Sequence, residues 1–161
     1  MSEWRNRIVG HGEEAPDQLL ANPNNWRIHP KSQQDALSGV LDEVGWVQNV
    51  IVNRTTGHVV DGHARIGIAI SRNEKTVPVV YVELTENEEN IILATLDPIA
   101  GMAAKDDLQF SGLLEQVNSD NEYVQGLLSE IGGEPPEISE PTEPDFATTK
   151  CPACGHEWMP S

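Results

Sequence analysis

Hydrophobic spacing changes repeatedly along this chain, and each change predicts an element. Residues 1–16 follow no clean period and are expected to form an arm, followed by a short apolar element at Gln18-Leu19-Leu20. Pro23 and Pro30 keep the residues before them extended, so 22–30 reads as a loop. Leu37, Val40, Leu41 and Val44 then recur at helical spacing, with Ser32 as the expected N-cap and Gly45 as the stop. Residues 47–53 read as a buried strand, Arg54-Thr55-Thr56-Gly57 as a turn, and His58-Val59-Val60 as the returning strand of a hairpin. Directly after it, Asp61 is the expected cap of a helix carrying Ile66, Ala69 and Ile70 and running to about residue 73.

The most apolar run, 77–84, predicts another strand, with Pro78 near its start where a strand tolerates it. Thr85 and Glu88 have capping-box spacing for a helix with Ile91, Ile92, Thr95 and Leu96, which Pro98 is expected to stop. Phe110, Leu113, Leu114 and Val117 mark a further helix. Ser119 and Glu122 open the last one, with Tyr123, Val124, Leu127, Leu128 and Ile131 inward and Gly132-Gly133 at its end. Helices alternating with a few strands predict a small α/β or α+β domain with a helical C-terminal section.

Composition then divides the chain. Residues 134–145 hold four prolines and five acids and have almost nothing to bury, so 133–149 reads as an acidic, Pro-rich linker. The expected organisation is an arm at 1–16, the α/β domain at 17–97, a helical extension at 98–132, the linker, and a cysteine-bearing tail at 150–161. No apolar run is long enough to span a membrane and no apolar stretch follows the N-terminus, so a cytoplasmic protein is expected.

Charge narrows the function. Residues 1–80 carry nine acidic and eight basic side chains, a net −1, whereas residues 81–161 carry seventeen and two, a net −15. Binding a duplex requires cations to neutralise phosphates. The second half cannot supply them, so direct duplex binding is expected to be weak or absent, and any nucleotide contact belongs to the first half.

Two stretches there carry candidate chemistry. In Val59-Val60-Asp61-Gly62-His63-Ala64-Arg65 a strand runs through a tight turn into a helix start, whose first N–H groups lack intrahelical partners. Such an end can hold a phosphate, with His63 and Arg65 beside it. The competing interpretation is a plain strand–helix corner with a solvated histidine. In the loop, Asn22 and Asn25 can read a base edge and Arg27 can pair with a phosphate, or the loop is a surface turn with Trp26 plugging the core.

Taken together, the ordered set Asn22-Pro23-x-Asn25-x-Arg27, Gly45-Trp46-Val47-Gln48-Asn49-Val50-Ile51-Val52, Asp61-Gly62-His63-Ala64-Arg65 and Val77-Pro78-Val79 resembles the N-terminal domain of the ParB/sulfiredoxin superfamily over about residues 17–97. The resemblance implies a nucleotide-binding α/β fold with a small mixed sheet. Phosphates would lie on the turn (Gly62, His63, Arg65), with Gln48 nearby and Asn22, Asn25 and Arg27 closing over a CTP or ATP ligand. It also implies a DNA-associated role of phage or mobile-element type.

The departures matter as much. His63 stands where the family has Glu, and Asn49 where Pro is usual. No cysteine precedes Cys151, so sulfinic-acid reduction of the sulfiredoxin kind is excluded for want of a thiolate. An Arg-containing element expected on the helix after the Val-Pro-Val strand has its nearest counterpart in residues 94–99, where Asp97 is a candidate magnesium ligand or a helix cap. Residues 106–131 contain no Lys or Arg, which argues against a basic recognition helix there. Two further functions stay open: NTP hydrolysis or nuclease chemistry with Asp61 or His63 as base, and an acidic adaptor for a DNA-modifying or packaging protein. The tail, Lys150-Cys151-Pro152-Ala153-Cys154-Gly155-His156, resembles one zinc knuckle. Cys151, Cys154 and His156 offer at most three ligands, so a complete zinc site calls for a second tail and hence a homodimer; the alternative is a vestigial or redox-active dithiol.

Overall fold

The computed structural model describes residues 3–133 together with the strand residues 149–150 and 157–158. Four strands form one mixed sheet: β1 (Ile8–Glu14), β2 (Val50–Asn53), β3 (Val59–Asp61) and β4 (Val77–Val82), in the order β1-β4-β2-β3. β2 and β3 make the antiparallel hairpin expected from the sequence, and β2 lies parallel to β4 with Val50 opposite Val79. The helices are α1 (Lys31–Val44), α2 (His63–Ser71), α3 (Glu86–Gly101), α4 (Asp107–Leu114) and α5 (Glu122–Gly132). Two further short strands, β5 (Thr149–Lys150) and β6 (Glu157–Trp158), pair antiparallel. This is the α/β architecture with C-terminal helices that the alternation predicts.

The core is made of β-branched side chains from the sheet against one face of α2. Val50, Val52, Val59, Val77 and Val79 pack with Ile66 and Ala69, flanked by Leu19, Trp46 and Tyr81. Such residues suit a pleated, buried surface and are stiff at χ1, so they hold the turn between β3 and α2 in one place.

Several local expectations are corrected. Residues 8–14, expected within an arm, are an edge strand paired antiparallel with β4. Gly10, Gly12, Glu13 and Glu14 hide its period, because this strand is partnered on one side and largely exposed. Arg7 anchors its start with a bidentate pair to Glu88 (2.8 and 2.7 Å) and a bond from Nε to the Glu83 carbonyl (2.7 Å). Those bonds hold the Glu88 carboxyl down to about 2, with the Thr85 backbone N–H contributing.

Helix ends moved too. Pro30 rather than Ser32 stands at the N-cap of α1, Asn121 rather than Ser119 caps α5, and the Thr85–Glu88 capping box is present as expected. Pro98 lies inside α3, so the expected break at 97–98 falls within a continuous helix. Only the last turn, to Gly101, follows it, so the i→i−4 bond that proline removes leaves little helix beyond it. Gly39 of α1 sits against Asn121 and Val124, which lets α1 and α5 approach closely. Among the described residues, no helix is long and apolar enough to cross a membrane.

Candidate functional site

The α2 N-terminus opens onto a cleft of about 1040 Å³, bounded by the Arg27–Pro30 loop, α1, Gln48, the Asp61–Arg65 turn, Asp97 and one face of α5. Gly62, not Asp61, is the N-cap. Its φ of 103° is left-handed, which only glycine adopts readily, and a Cβ there would meet Val50 Cγ2 at 3.1 Å. The turn therefore packs directly on β2.

Asp61 is freed from capping and acts as a buried anion between two guanidiniums. Its Oδ2 accepts from Arg65 at 2.7 Å and from Gln48 at 3.4 Å, while Arg27 lies 3.6 Å from Oδ1. Arg65 also donates to Gln48 Oε1 at 3.0 Å. Arg27 Nε lies 2.7 Å from Asp97 Oδ2, so Asp97 is an ion-pair partner inside α3 and not a helix cap. Arg65 Nε and His63 Nδ1 are buried with no hydrogen-bond partner among the described residues, whereas Arg27 Nε meets the Asp97 carboxylate. Each such donor costs roughly 1–3 kcal/mol if left unpaired.

His63 is held from behind. The backbone N–H of Asn22 donates to its Nε2 at 3.3 Å, so Nε2 is the acceptor and the ring proton resides on Nδ1. Burial pushes this imidazole below its ordinary value. The Asp61 charge opposes that, and Arg27 and His29 add to it. The unfolded chain protonates His63 near 6.5 and the folded chain only at lower pH, so acid favours unfolding between those values. Melting temperature should fall as the solution is taken from about pH 7.5 to about pH 5.5, and His63→Gln should flatten that fall relative to the parent.

The sequence-predicted residues divide into groups. Arg27, Gln48, Asp61, Gly62, His63, Arg65 and Asp97 line the cleft together. Asn22 is buried behind it, and Asn25 turns away, its Oδ1 accepting from the Arg27 backbone N–H at 3.3 Å. Trp26 is more than half exposed and donates to the Leu93 carbonyl at 3.0 Å, so it clasps the loop to α3 and does not plug the core. Cys151, Cys154 and His156 lie outside the described residues.

One central residue escaped the sequence reading. Glu89 is 4% exposed, and its carboxylate collects Asn22 Nδ2 (2.6 Å), Asn53 Nδ2 (2.6 Å) and Thr56 Oγ1 (2.5 Å), with His58 Nδ1 at 3.5 Å. Burial alone would raise its pKa, but the bonds from Thr56, Asn53, Asn22 and His58 outweigh that and hold it below the usual carboxylate range. The available signal was its i,i+4 spacing from Leu93. These two are the buried positions of α3, whereas Ile91 and Leu96 of the expected stripe are exposed.

This geometry is set in a known framework. No family model matches the sequence, and no curated protein matches it. Among solved structures, the C-terminally truncated chromosome-partitioning protein ParB from Caulobacter crescentus, complexed with CTP-gamma-S, superposes with a TM-score of 0.55 at 24% identity. The match covers 66% of this chain and 62% of that one, so this chain spans less than two thirds of that ParB structure. Two structures of pNOB8-like ParB N-domains align with TM-scores of 0.48 and 0.49 at 14% and 12% identity, covering 70% and 71% of this chain and 46% and 44% of theirs. Over the matched two thirds of the chain the α/β fold is similar to that of the truncated ParB.

Proposed function

We propose that this chain binds a nucleoside triphosphate, CTP or ATP, with its phosphates over the Gly62–Arg65 turn, as a ParB-like module in a DNA-associated setting. The observation that carries this reading is the pair of buried, unpartnered N–H donors on His63 and Arg65 at the α2 N-terminus, with the Arg27 guanidinium facing the same cleft. Phosphate oxygens supply the acceptors those donors lack, and the helix dipole favours the negative charge. That a similar fold holds CTP-gamma-S supports the choice of ligand class.

The cleft carries Asp35, Asp61, Asp97, Glu122 and Glu130 against Arg27 and Arg65, a net charge of −3 with histidines neutral. A highly charged triphosphate entering it needs a counter-ion. Among the described residues no three His, Cys, Asp or Glu side chains cluster to hold a metal, so magnesium would arrive on the phosphates, with Asp97 as its one protein carboxylate. Titration calorimetry of the full chain with CTP, ATP, GTP and UTP, each with magnesium, tests the reading. Saturable heat with one nucleotide, weakened by chelating the magnesium, is the expected result. No heat with any of the four overturns it.

A specific observation favours an additional partner protein. Ile99, Met102, Leu108 and Leu113 are more than half exposed on a section with almost no cations. Apolar side chains on an acidic surface suit a protein that offers basic and apolar groups, such as a DNA-modifying or packaging enzyme, better than they suit a duplex. Sub-micromolar duplex binding at physiological salt would contradict this part of the proposal. Zinc at Cys151, Cys154 and His156 of two tails remains a separate proposal, tested by metal analysis of the purified protein.

A further inference from the structure

Glu89 is surrounded by donors whose orientation is set by second bonds. Asn22 Oδ1 accepts from the Asn24 N–H at 2.9 Å, which leaves its NH₂ facing Glu89. Asn53 Oδ1 accepts from the Leu84 N–H at 3.0 Å and the Thr55 N–H at 3.2 Å, and its NH₂ likewise faces Glu89. Thr56 Oγ1 accepts from the His58 N–H at 3.2 Å, so its hydroxyl proton is directed to Glu89. The position therefore demands a group that only accepts, which among side chains of this length means an ionised carboxylate.

The bond to Asn22 reaches further than the others. Asn22 is buried and presents its side chain to Glu89 and its backbone N–H to His63 Nε2. Asn24 adds a bond to Asn90 on the same helix at 3.0 Å. Three residues beyond Asn24, the same loop delivers Arg27 to Asp61 and Asp97.

We propose that Glu89 is the positioning residue of this cleft: through Asn22 it seats the loop and fixes the His63 proton on Nδ1, presenting that proton as a donor to the bound phosphates. The ligand half of this proposal rests on the nucleotide reading above, whereas the His63 half does not. Glu89 never touches ligand in this scheme and acts through Asn22 alone.

Glu89→Gln keeps the volume but turns an amide donor towards three donors. The loop should lose its seat and His63 should lose its Asn22 partner. In ligand-free protein, ¹⁵N NMR of the imidazole should show the His63 proton redistributed between Nδ1 and Nε2, and nucleotide affinity should fall by roughly tenfold or more. Asn22→Ala removes the same link while sparing the buried charge, and should reproduce both effects if Glu89→Gln folds poorly. Thr56→Val also takes a bond from Glu89 but leaves Asn22 in place. It should lower the melting temperature without moving the His63 proton or the affinity. A folded Glu89→Gln or Asn22→Ala protein with the parent's His63 proton position and affinity would overturn the proposal and leave Glu89 as a core polar group. If the parent binds no nucleotide, the functional reading fails by itself, and the imidazole spectra still decide whether the relay exists.

Discussion

Gly62→Val should remove most of the protein's stability, by about 2–6 kcal/mol. Left-handed backbone costs a non-glycine residue of order 1–3 kcal/mol, and a β-branched one most. Overpacking adds a similar 1–3 kcal/mol, because the new Cβ meets Val50 at 3.1 Å (Cγ2), 3.3 Å (Cα) and 3.4 Å (Cβ). Val50 is fully buried at the start of β2 and cannot retreat. Against a typical total of about 5–15 kcal/mol, such a loss leaves a marginal fold. Gly62→Ala carries less strain and should fall between the parent and Gly62→Val. Denaturant unfolding of the three proteins checks the order, and a Gly62→Val protein within about 1 kcal/mol of the parent would show that the turn is not seated on β2.

Arg65→Ala should weaken nucleotide binding by roughly ten- to a hundredfold, the worth of a charge-assisted contact of about 1.5–3 kcal/mol. Sequence considerations alone predict little effect on stability, since a cation at a helix N-terminus opposes the dipole. The tertiary arrangement reverses that expectation. Arg65 is the closest partner of Asp61, which is 8% exposed, and its removal leaves a buried carboxylate with Arg27 at 3.6 Å as its remaining cation. Breaking a buried pair from one side is destabilising by up to about 3–5 kcal/mol. The distant Arg27 and the accessible cleft should keep the loss below that.

The double variant Asp61→Asn/Arg65→Ala separates the two effects. It should recover stability relative to Arg65→Ala, because no buried charge is left unpaired, and it should not recover affinity. Calorimetry and melting curves on the parent, the single and the double variants provide the four-way comparison. If affinity returns with stability, Arg65 acts only by supporting the fold. Arg65→Lys keeps the charge but loses the fork that reaches Asp61 and Gln48 together, so it should lie between the parent and Arg65→Ala.

Local chemistry was legible in the sequence wherever neighbours in the chain decide the outcome. The β2–β3 hairpin, the entry into α2 at Asp61-Gly62, the Thr85–Glu88 box and the Gly45 stop all depend on residues within a few positions of one another. The ordered motifs also pointed to the ParB-type fold, because strand, turn and helix recur there in a set order. What the sequence by itself could not reveal is pairing across long separations. Residues 8–14 become a strand only because β4 offers an edge nearly seventy residues later. Asp61 has good capping chemistry, yet Arg27 and Arg65 claim its carboxylate and glycine takes the cap. Pro98 is a strong local stop, overridden so near the helix end.

Glu89 shows the same division most clearly. In the sequence it is one acid among three in a helix's first turn, indistinguishable from solvated neighbours. Its role is decided by Asn22, Asn53, Thr56 and His58, which lie 31–67 positions away and converge only in the folded chain. Periodicity and propensity are properties of the local chain. Burying a charge is a property of everything packed around it, and that is why the tertiary structure alone decided which carboxylates of this acidic protein are structural, which pair with the cleft arginines, and which simply face water.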